Sequence, residues 1–264
     1  MCVVIPMFRA EWVKLGRPRF FFGTLAAIGA VAALGAVLTM LSVGHKDYDG
    51  VPVTAAALAA PDGVMQGLEA VSILLGVTAL AVTAAVIGGD FTHGTLRNQL
   101  IAHPYRLRLL AGKCLALAAF VTVMVTAATV VAAAASFAIA PATDVGTAAW
   151  HSTAGLVEIG KGYLNVLAAS LGYATIGVLV GVVFRSPAAA VSVGLAYALP
   201  LEMLVSRIWS PAAAWLPARL MDTFAAGAHG YHIAYSAAGL RILVFCVAAV
   251  LVAAGLFKHR DMTS

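Results

Sequence analysis

Residues 89–113 read GDFTHGTLRNQLIAHPYRLRLLAGK, a polar and basic stretch between two long apolar runs. Asp90 is its one acid, and its strongly basic residues are Arg97, Arg106, Arg108 and Lys113. Short loops rich in Lys and Arg stay on the cytoplasmic side of membrane proteins. We therefore predict a cytoplasmic loop over 89–113, with enough polar surface to dock a partner.

The composition around this loop is that of a membrane protein. The chain is 62% hydrophobic and 10% charged, with a mean hydropathy of +0.97, whereas soluble domains are about 25% charged. A helix needs about 20 apolar residues to cross a bilayer. We predict one all-α membrane domain over 1–264 with six spans, at about 20–43, 70–88, 114–140, 163–184, 188–205 and 240–257. Transmembrane β-barrels would instead show short alternating segments.

The distribution of charge predicts the orientation. With the N-terminus inside, the cytoplasmic side holds eleven basic and three acidic residues, and the outer side holds five basic and eight acidic residues. This is the positive-inside bias, so we expect both termini in the cytoplasm. The pI of 9.3 then reflects topology and contact with anionic membrane lipids, not binding of nucleic acid. The Ala-, Val- and Gly-rich, Lys-poor composition indicates a bacterial protein, and hence the bacterial cytoplasmic membrane.

Two flanking segments have a character of their own. In 7–17, Phe8, Trp12 and Leu15 share one helical face, which predicts an amphipathic helix in the inner interface; a plain basic flank that only orients the first span is the alternative. Residues 206–239 are too polar to span and too apolar to be free in water. We expect this outer loop to lie on the surface or to re-enter the protein partly, because irregular backbone at membrane depth must be shielded.

Two motifs that could carry chemistry are rejected. The run Gly155–Gly162, GLVEIGKG, lacks the final hydroxyl residue and the preceding strand of a phosphate-binding loop, so the chain has no ATP-binding motif. His229 and His232 are three residues apart without a third ligand type nearby in sequence, so we predict no metal site.

The predicted spans also lack ionisable residues in their middle. A secondary transporter normally buries such a group at mid-membrane depth, and a membrane-embedded enzyme needs a catalytic cluster inside the bilayer. Both classes remain as alternatives. The chain thus shows neither an energy source nor a catalytic centre of its own, and we expect that it is not an enzyme by itself. If it moves a substrate uphill, the energy comes from a partner that docks on the cytoplasmic loops.

The loop also resembles a known family. After the second span, the sequence resembles the first intracellular loop of ABC-2 type transporter permeases: an acid is followed by Gly-Thr, Pro, a basic run and Lys. The residues are Asp90, Gly94, Thr95, Pro104, Arg106, Arg108 and Lys113. The turn from Phe184 to Pro187 with Ala190, and Leu216-Pro217 in the last outer loop, are also similar. The family more often has Glu where this chain has Asp90.

The resemblance implies the ABC-2 exporter fold and a half-size permease subunit without a cofactor of its own. Such a subunit pairs with a second permease, in a homodimer or a heterodimer, and with two copies of a separate ATPase subunit that binds ATP and magnesium. It exports an unidentified substrate.

The resemblance also implies which residues do this. The first loop would form a coupling helix at about 95–101, with Leu96, Leu100 and Ile101 as its apolar face, and would touch the ATPase through Asp90, Gly94, Thr95, Leu96, Arg97, Gln99 and Arg106. A second intracellular turn would comprise Arg185, Ser186 and Pro187. In the family the second and fifth spans face the dimer axis, which would put near the substrate path Ser72, Thr78, Thr83, Ser192 and Tyr197. The alternative for the first loop is that it only satisfies the positive-inside rule.

One further pattern concerns packing. Gly177 and Gly181 form a GxxxG motif in the fourth span. Small residues at this spacing let two helix backbones approach closely. We expect this contact to lie within one protomer.

The orientation can be tested by labelling single cysteines in a Cys-free background with a membrane-impermeant thiol reagent. In intact cells, cysteine at Asp144 should react and cysteine at Arg97 should not, because only the former side chain faces outward. Labelling after permeabilisation controls for accessibility. The reverse pattern in intact cells would invert the topology.

Overall fold

The computed structural model describes residues 4–46, 50–102, 105–227 and 234–259; the histidine pair at 229 and 232 lies outside them. The described residues form helices and no strand, which confirms the all-α class. In chain order the helices are α1 (Val4–Leu15), α2 (Pro18–Leu41), α3 (Ala55–Leu58), α4 (Gly63–Ala70), α5 (Ser72–Thr92), α6 (Thr95–Ala102), α7 (Arg106–Ile139), α8 (Thr153–Phe184), α9 (Pro187–Ala196), α10 (Glu202–Ile208), α11 (Pro217–Ala225) and α12 (Tyr235–His259).

Among the described residues, six helical segments are long and apolar enough to cross a membrane, as predicted. Four are the single helices α2, α5, α8 and α12, and a fifth is α7 with the short 3-10 turn that follows it, Arg106–Thr143. The sixth, Pro187–Ile208, joins α9 to α10 through a π-helical turn, Tyr197–Leu201. Pro200 lies inside that turn, and because proline has no N–H to donate, it disrupts the regular helical ladder there.

α5 and α7 extend beyond the predicted spans into the loop 89–113, and the predicted extent of that loop was wrong. α5 continues to Thr92 and α7 already begins at Arg106, so the connection shrinks to 93–105 with α6 inside it. α7 has 34 residues, a length of roughly 51 Å at 1.5 Å per residue. The hydrocarbon core is only about 30 Å thick. The apolar run in the sequence therefore marks the part of α7 that lies in lipid, and the basic first turns of α7 project beyond it.

We call one end of the bundle the basic face; it carries α1, α6, the turn between α8 and α9, and the end of α12. The other end, with α3, α4, α10 and α11, is the opposite face. Between them, α5 and α8 pack backbone to backbone. A Cβ added at Gly177 would lie 1.9 Å from Thr83 Oγ1, and one at Gly181 would lie 2.8 Å from the Cβ of Ile87. The GxxxG motif thus packs within the protomer, as predicted.

The segment after the fifth span returns to the bundle on the opposite face. α11 buries Leu220 and Met221, and the Tyr173 hydroxyl of α8 donates to Asp222 Oδ1 at 2.9 Å. Burial, together with the charge of Glu202, raises the pKa of Asp222 to about 6, although Tyr173 and Arg219 favour its charged form.

Glu202 lies on the same face, in the fifth span. The span continues to Ile208, and Glu202 is 1% exposed. Its Oε2 accepts from the backbone N–H of Arg219 at 3.0 Å, in the first turn of α11. A buried ionisable group thus lies within the span, although the sequence placed it on the outer side. This contact places the carboxylate at the start of a helix, where a negative charge is favoured, and Tyr197 makes a second hydrogen bond with it.

Gly177→Ala tests the close approach of α5 and α8. The added methyl group would overlap Thr83, so we expect the variant to lose about 1–3 kcal/mol of stability. Gly160→Ala in the same helix is the matched control, because nothing lies within 4 Å of its Cβ position. Alanine favours helix over glycine, so the control should be neutral or slightly stabilised. Thermal unfolding of the two variants in the same detergent measures the difference. Equal midpoints would contradict the close packing of α5 on α8 at Gly177.

Candidate functional site on the basic face

The amphipathic helix α1 lies across the start of α7. It spans Val4–Leu15, so it begins and ends earlier than the predicted 7–17. Met7 and Leu15 are buried. At Gly112 of α7, an added Cβ would lie 2.6 Å from the Cβ of Met7. The glycine therefore lets the two helices touch.

Four charged residues meet where α1 packs against α5 and α7. We call them the ion cluster: Glu11, Lys14, Asp90 and Lys113. The Lys113 ammonium pairs with the carboxylates of both Glu11 and Asp90. Lys14 pairs with the same two carboxylates, at 3.0 Å from Glu11 Oε1 and 3.1 Å from Asp90 Oδ1. Lys113 and Glu11 are each 1% exposed. Two cations and two anions balance, which is the condition under which buried charges are tolerated.

The partly exposed member of the ion cluster is Lys14. Burial acts to lower the pKa of Lys14, but the hydrogen bond and charge of Glu11 and the charge of Asp90 outweigh burial and raise it above the ordinary value. Lys14 is therefore protonated at neutral pH and keeps the cluster balanced.

Two residues of α6 join this cluster. The Thr95 hydroxyl lies 2.8 Å from Asp90 Oδ1 and 3.1 Å from the Asp90 carbonyl oxygen. The Gln99 Nε2 donates to Glu11 Oε1 at 3.3 Å. The polar contacts therefore connect α6 to both α5 and α1. Gly94, which precedes α6, has a φ of +64°, a conformation that glycine adopts at little cost.

This arrangement corrects several expectations for the predicted coupling helix. Asp90 lies inside α5, is buried, and bonds to Thr95 and the two lysines, whereas the sequence placed it on the docking surface. Leu96 is 3% exposed and packs inward, while Ile101 is 77% exposed, so they do not form one apolar face. Arg106 is partly buried at the start of α7, and its Nη1 donates to the Lys258 carbonyl oxygen at 3.2 Å. Outside the described positions are the side chains of Arg97 and Leu100 and the whole of Pro104.

The turn at 185–187, predicted as the second intracellular turn, lies against the end of α5. Arg185 ends α8 in a left-handed conformation, with φ at +53°, and Pro187 begins α9 after Ser186. The Thr92 hydroxyl of α5 donates to the Arg185 carbonyl oxygen at 3.2 Å. At Gly88, an added Cβ would lie 2.8 Å from the Ser186 carbonyl carbon. The end of α5, part of which the sequence assigned to the first intracellular loop, is therefore in contact with the predicted second turn.

The residues predicted for a substrate path differ in burial and in their hydrogen-bond partners. Thr83 is buried and donates to backbone carbonyls of α5 and α8, and Thr78 donates to the Leu74 carbonyl. Ser72 is buried, Ser192 is exposed, and Tyr197 lies in the π-helical turn. Among the described hydrogen bonds, none joins two of these five side chains. Their role in transport stays a prediction.

The match to known families agrees with this architecture. A family model described as "ABC-2 family transporter protein" matches residues 20–236 of the 264. The chain belongs to the ABC-2 family of transporter membrane proteins. This confirms the resemblance that the first intracellular loop indicated. No curated protein matches the sequence.

As an ABC-2 protein, the chain is the transmembrane part of a transporter, and proteins of this family generally work with an ABC ATPase partner. The run at 155–162 that resembles a phosphate-binding loop lies inside α8. Its backbone amides there belong to a continuous helix, so they do not form an open loop around a phosphate.

Sequence reasoning missed three members of the ion cluster in this ABC-2 protein: Glu11, Lys14 and Lys113. Glu11 was taken as one acid of the inner side and Lys113 as one cation of the loop. A signal was present: Met7, Glu11 and Leu15 recur every four residues, so the acid lies in the middle of an apolar helical stripe. An acid in that position indicates a buried partner of opposite charge.

Lys113→Met tests the ion cluster. It leaves two buried carboxylates with only Lys14, and breaking a buried pair in this way costs about 3–5 kcal/mol. Lys161→Met is the control, because its pair with Glu158 is exposed, with 61% and 36% of the two side chains accessible, and such pairs contribute about 0–1 kcal/mol. Thermal unfolding in detergent measures both.

A second substitution separates charge balance from packing. Glu11→Gln added to Lys113→Met restores neutrality, so part of the lost stability should return. If the double variant is less stable than Lys113→Met alone, the cluster does not act through charge balance.

Proposed function

We propose that this ABC-2 protein is the permease subunit of an ATP-driven exporter, and that α6 is its coupling helix. The observation that supports this most is the connection of α6 to the ion cluster. α6 is a short helix between two spans on the basic face, and Thr95 and Gln99 tie it to α5 and α1.

The connection suggests how a movement of α6 would be passed to the membrane spans. A displacement of α6 by a partner would be carried by the bond between Thr95 and Asp90 into α5, and by Lys113 into α7. α5 packs closely on α8, so these helices would move together. Such a concerted displacement of packed helices would suit alternating access.

The partner surface would comprise the outward side of α6 and the turn at 185–187. Ile101 is exposed there, and Arg97 adds a cation to the sequence of α6. The Arg185 guanidinium lies 5.7 Å from the centre of the Phe91 ring, which positions the second turn beside the first. Both turns would face the ATPase subunit.

The assembly that follows has two permeases and two ATPase subunits. ATP and magnesium would bind to the ATPase subunits and not to this chain. The basic face and both termini would lie in the cytoplasm of a bacterium, with the spans in its cytoplasmic membrane. The substrate path would run between α5 and α9 and the second permease, where Ser192 is exposed.

A proton-coupled secondary transporter is the second candidate, because Glu202 is a buried carboxylate within a span. Its Oε2 is already bonded to the amide of Arg219 at the start of α11. This contact gives Glu202 a structural role and favours the ATP-driven function.

Charge reversal at Arg97 tests the coupling role of α6. Arg97→Glu should weaken co-purification of the ATPase subunit about tenfold or more if the cation is buried in the interface, and should lower transport-coupled ATP hydrolysis in parallel. Arg207→Glu, an exposed position on the opposite face, is the charge-matched control and should change neither. Wild-type complex yield and coupled hydrolysis in Arg97→Glu would exclude α6 as the docking element.

A further inference from the structure

A basic pocket lies where the start of α7 meets the end of α12. It has a volume of about 360 Å³ and is lined by Tyr105, Arg106, Leu107, Arg108 and Lys258. Arg106 links the two helix ends, because its Nη1 donates to the Lys258 carbonyl oxygen at 3.2 Å. The Arg108 guanidinium lies 4.6 Å from the centre of the Tyr105 ring. The pocket is thus built from two helices that are far apart in sequence.

The lining residues are cationic and apolar. Arg108 and Lys258 are exposed, and none of the five residues that line the pocket is acidic. The two acids of the described basic face, Glu11 and Asp90, are paired in the ion cluster. The pocket therefore favours an anion, and Tyr105 and Leu107, 57% and 47% exposed, add an apolar wall.

An apolar stripe continues from the pocket along α12. Val244, Val247 and Leu251 are 61%, 51% and 65% exposed. With Lys258 they are spaced by three, four and seven residues, so all four lie on one helical face. Because α12 is a membrane span, the three apolar side chains lie where lipid tails run, with the cation of Lys258 beyond them. A lysine in this position reaches toward the headgroup region.

We propose that this pocket binds the headgroup of an anionic phospholipid from the leaflet at the basic face. Arg108 and Lys258 hold the phosphate, and one acyl chain follows the stripe Val244–Val247–Leu251. Basic pockets between membrane helices bind anionic headgroups in this manner. The apolar stripe favours a lipid over an acidic protein surface, since a protein partner on the basic face would leave the stripe in the bilayer unused.

The test measures lipid retention by the purified full chain in a neutral detergent, by native mass spectrometry with added dioleoyl phosphatidylglycerol or dioleoyl phosphatidylcholine. The wild type should retain phosphatidylglycerol in preference. Arg108→Gln with Lys258→Gln should weaken that binding about 25-fold, at about fivefold for each cation. Arg108→Lys with Lys258→Arg should preserve it. Gel filtration and helical circular dichroism verify that each variant is folded.

Arg9→Gln with Arg19→Gln is the matched control, because it removes two exposed cations of the same face outside the pocket. This control should bind phosphatidylglycerol within about twofold of the wild type. An equal loss of phosphatidylglycerol binding in the control would show that the effect comes from general surface charge and not from the pocket. Equal retention of the two lipids by the wild type would overturn the proposal outright.

Two further measurements distinguish a lipid in the pocket from a free phosphate or a protein partner. Inorganic phosphate at the same concentration should not displace the lipid, and displacement would identify a free phosphate site instead. Unchanged lipid binding in Arg108→Gln with Lys258→Gln, together with lost co-purification of the ATPase, would identify a protein docking surface and overturn the lipid assignment.

Discussion

The basic end of this protein depends on the balance of charge among Glu11, Lys14, Asp90 and Lys113. Each charge loses hydration when it is buried, and only a partner of opposite sign makes up for that loss. The carboxylates come from α1 and α5, and the ammonium groups come from α1 and α7. The three helices can therefore not separate without leaving a charge uncompensated. α1 is held as part of the bundle by the same charges.

The ends of the bundle are held by polar contacts, whereas its middle is held by close packing. Gly177 and Gly181 bring α8 onto α5, a contact that tolerates little sliding because an interior without voids deforms poorly. A movement that begins at α6 would therefore reach the opposite face as a displacement of whole helices. There, Tyr173 of α8 meets Asp222 of α11, so the returning segment is connected to the same pair of helices.

Ionisable groups on the two faces experience opposite surroundings. On the opposite face, burial and the like charges of Asp62 and Glu158 raise the pKa of Glu69 to about 7. On the basic face, carboxylates raise the pKa of Lys14. An anion approaching the basic face meets fixed positive charge, while the opposite face holds carboxyl groups that are close to neutralisation. The pocket formed by α7 and α12 lies on the face that attracts anions.

The sequence by itself determined the membrane class, the number of spans, the amphipathic character of α1 and the family, because each depends on local composition or on a motif contiguous in the chain. It did not determine where α7 begins, since hydropathy marks the lipid-embedded part of a helix and not the turns that project from it. Only the tertiary structure brought Glu11 to Lys113, 102 residues away. It also buried Asp90 and Leu96, which the sequence had assigned to the docking surface. Burial and pairing are decided by which helices meet, and that depends on packing between distant segments.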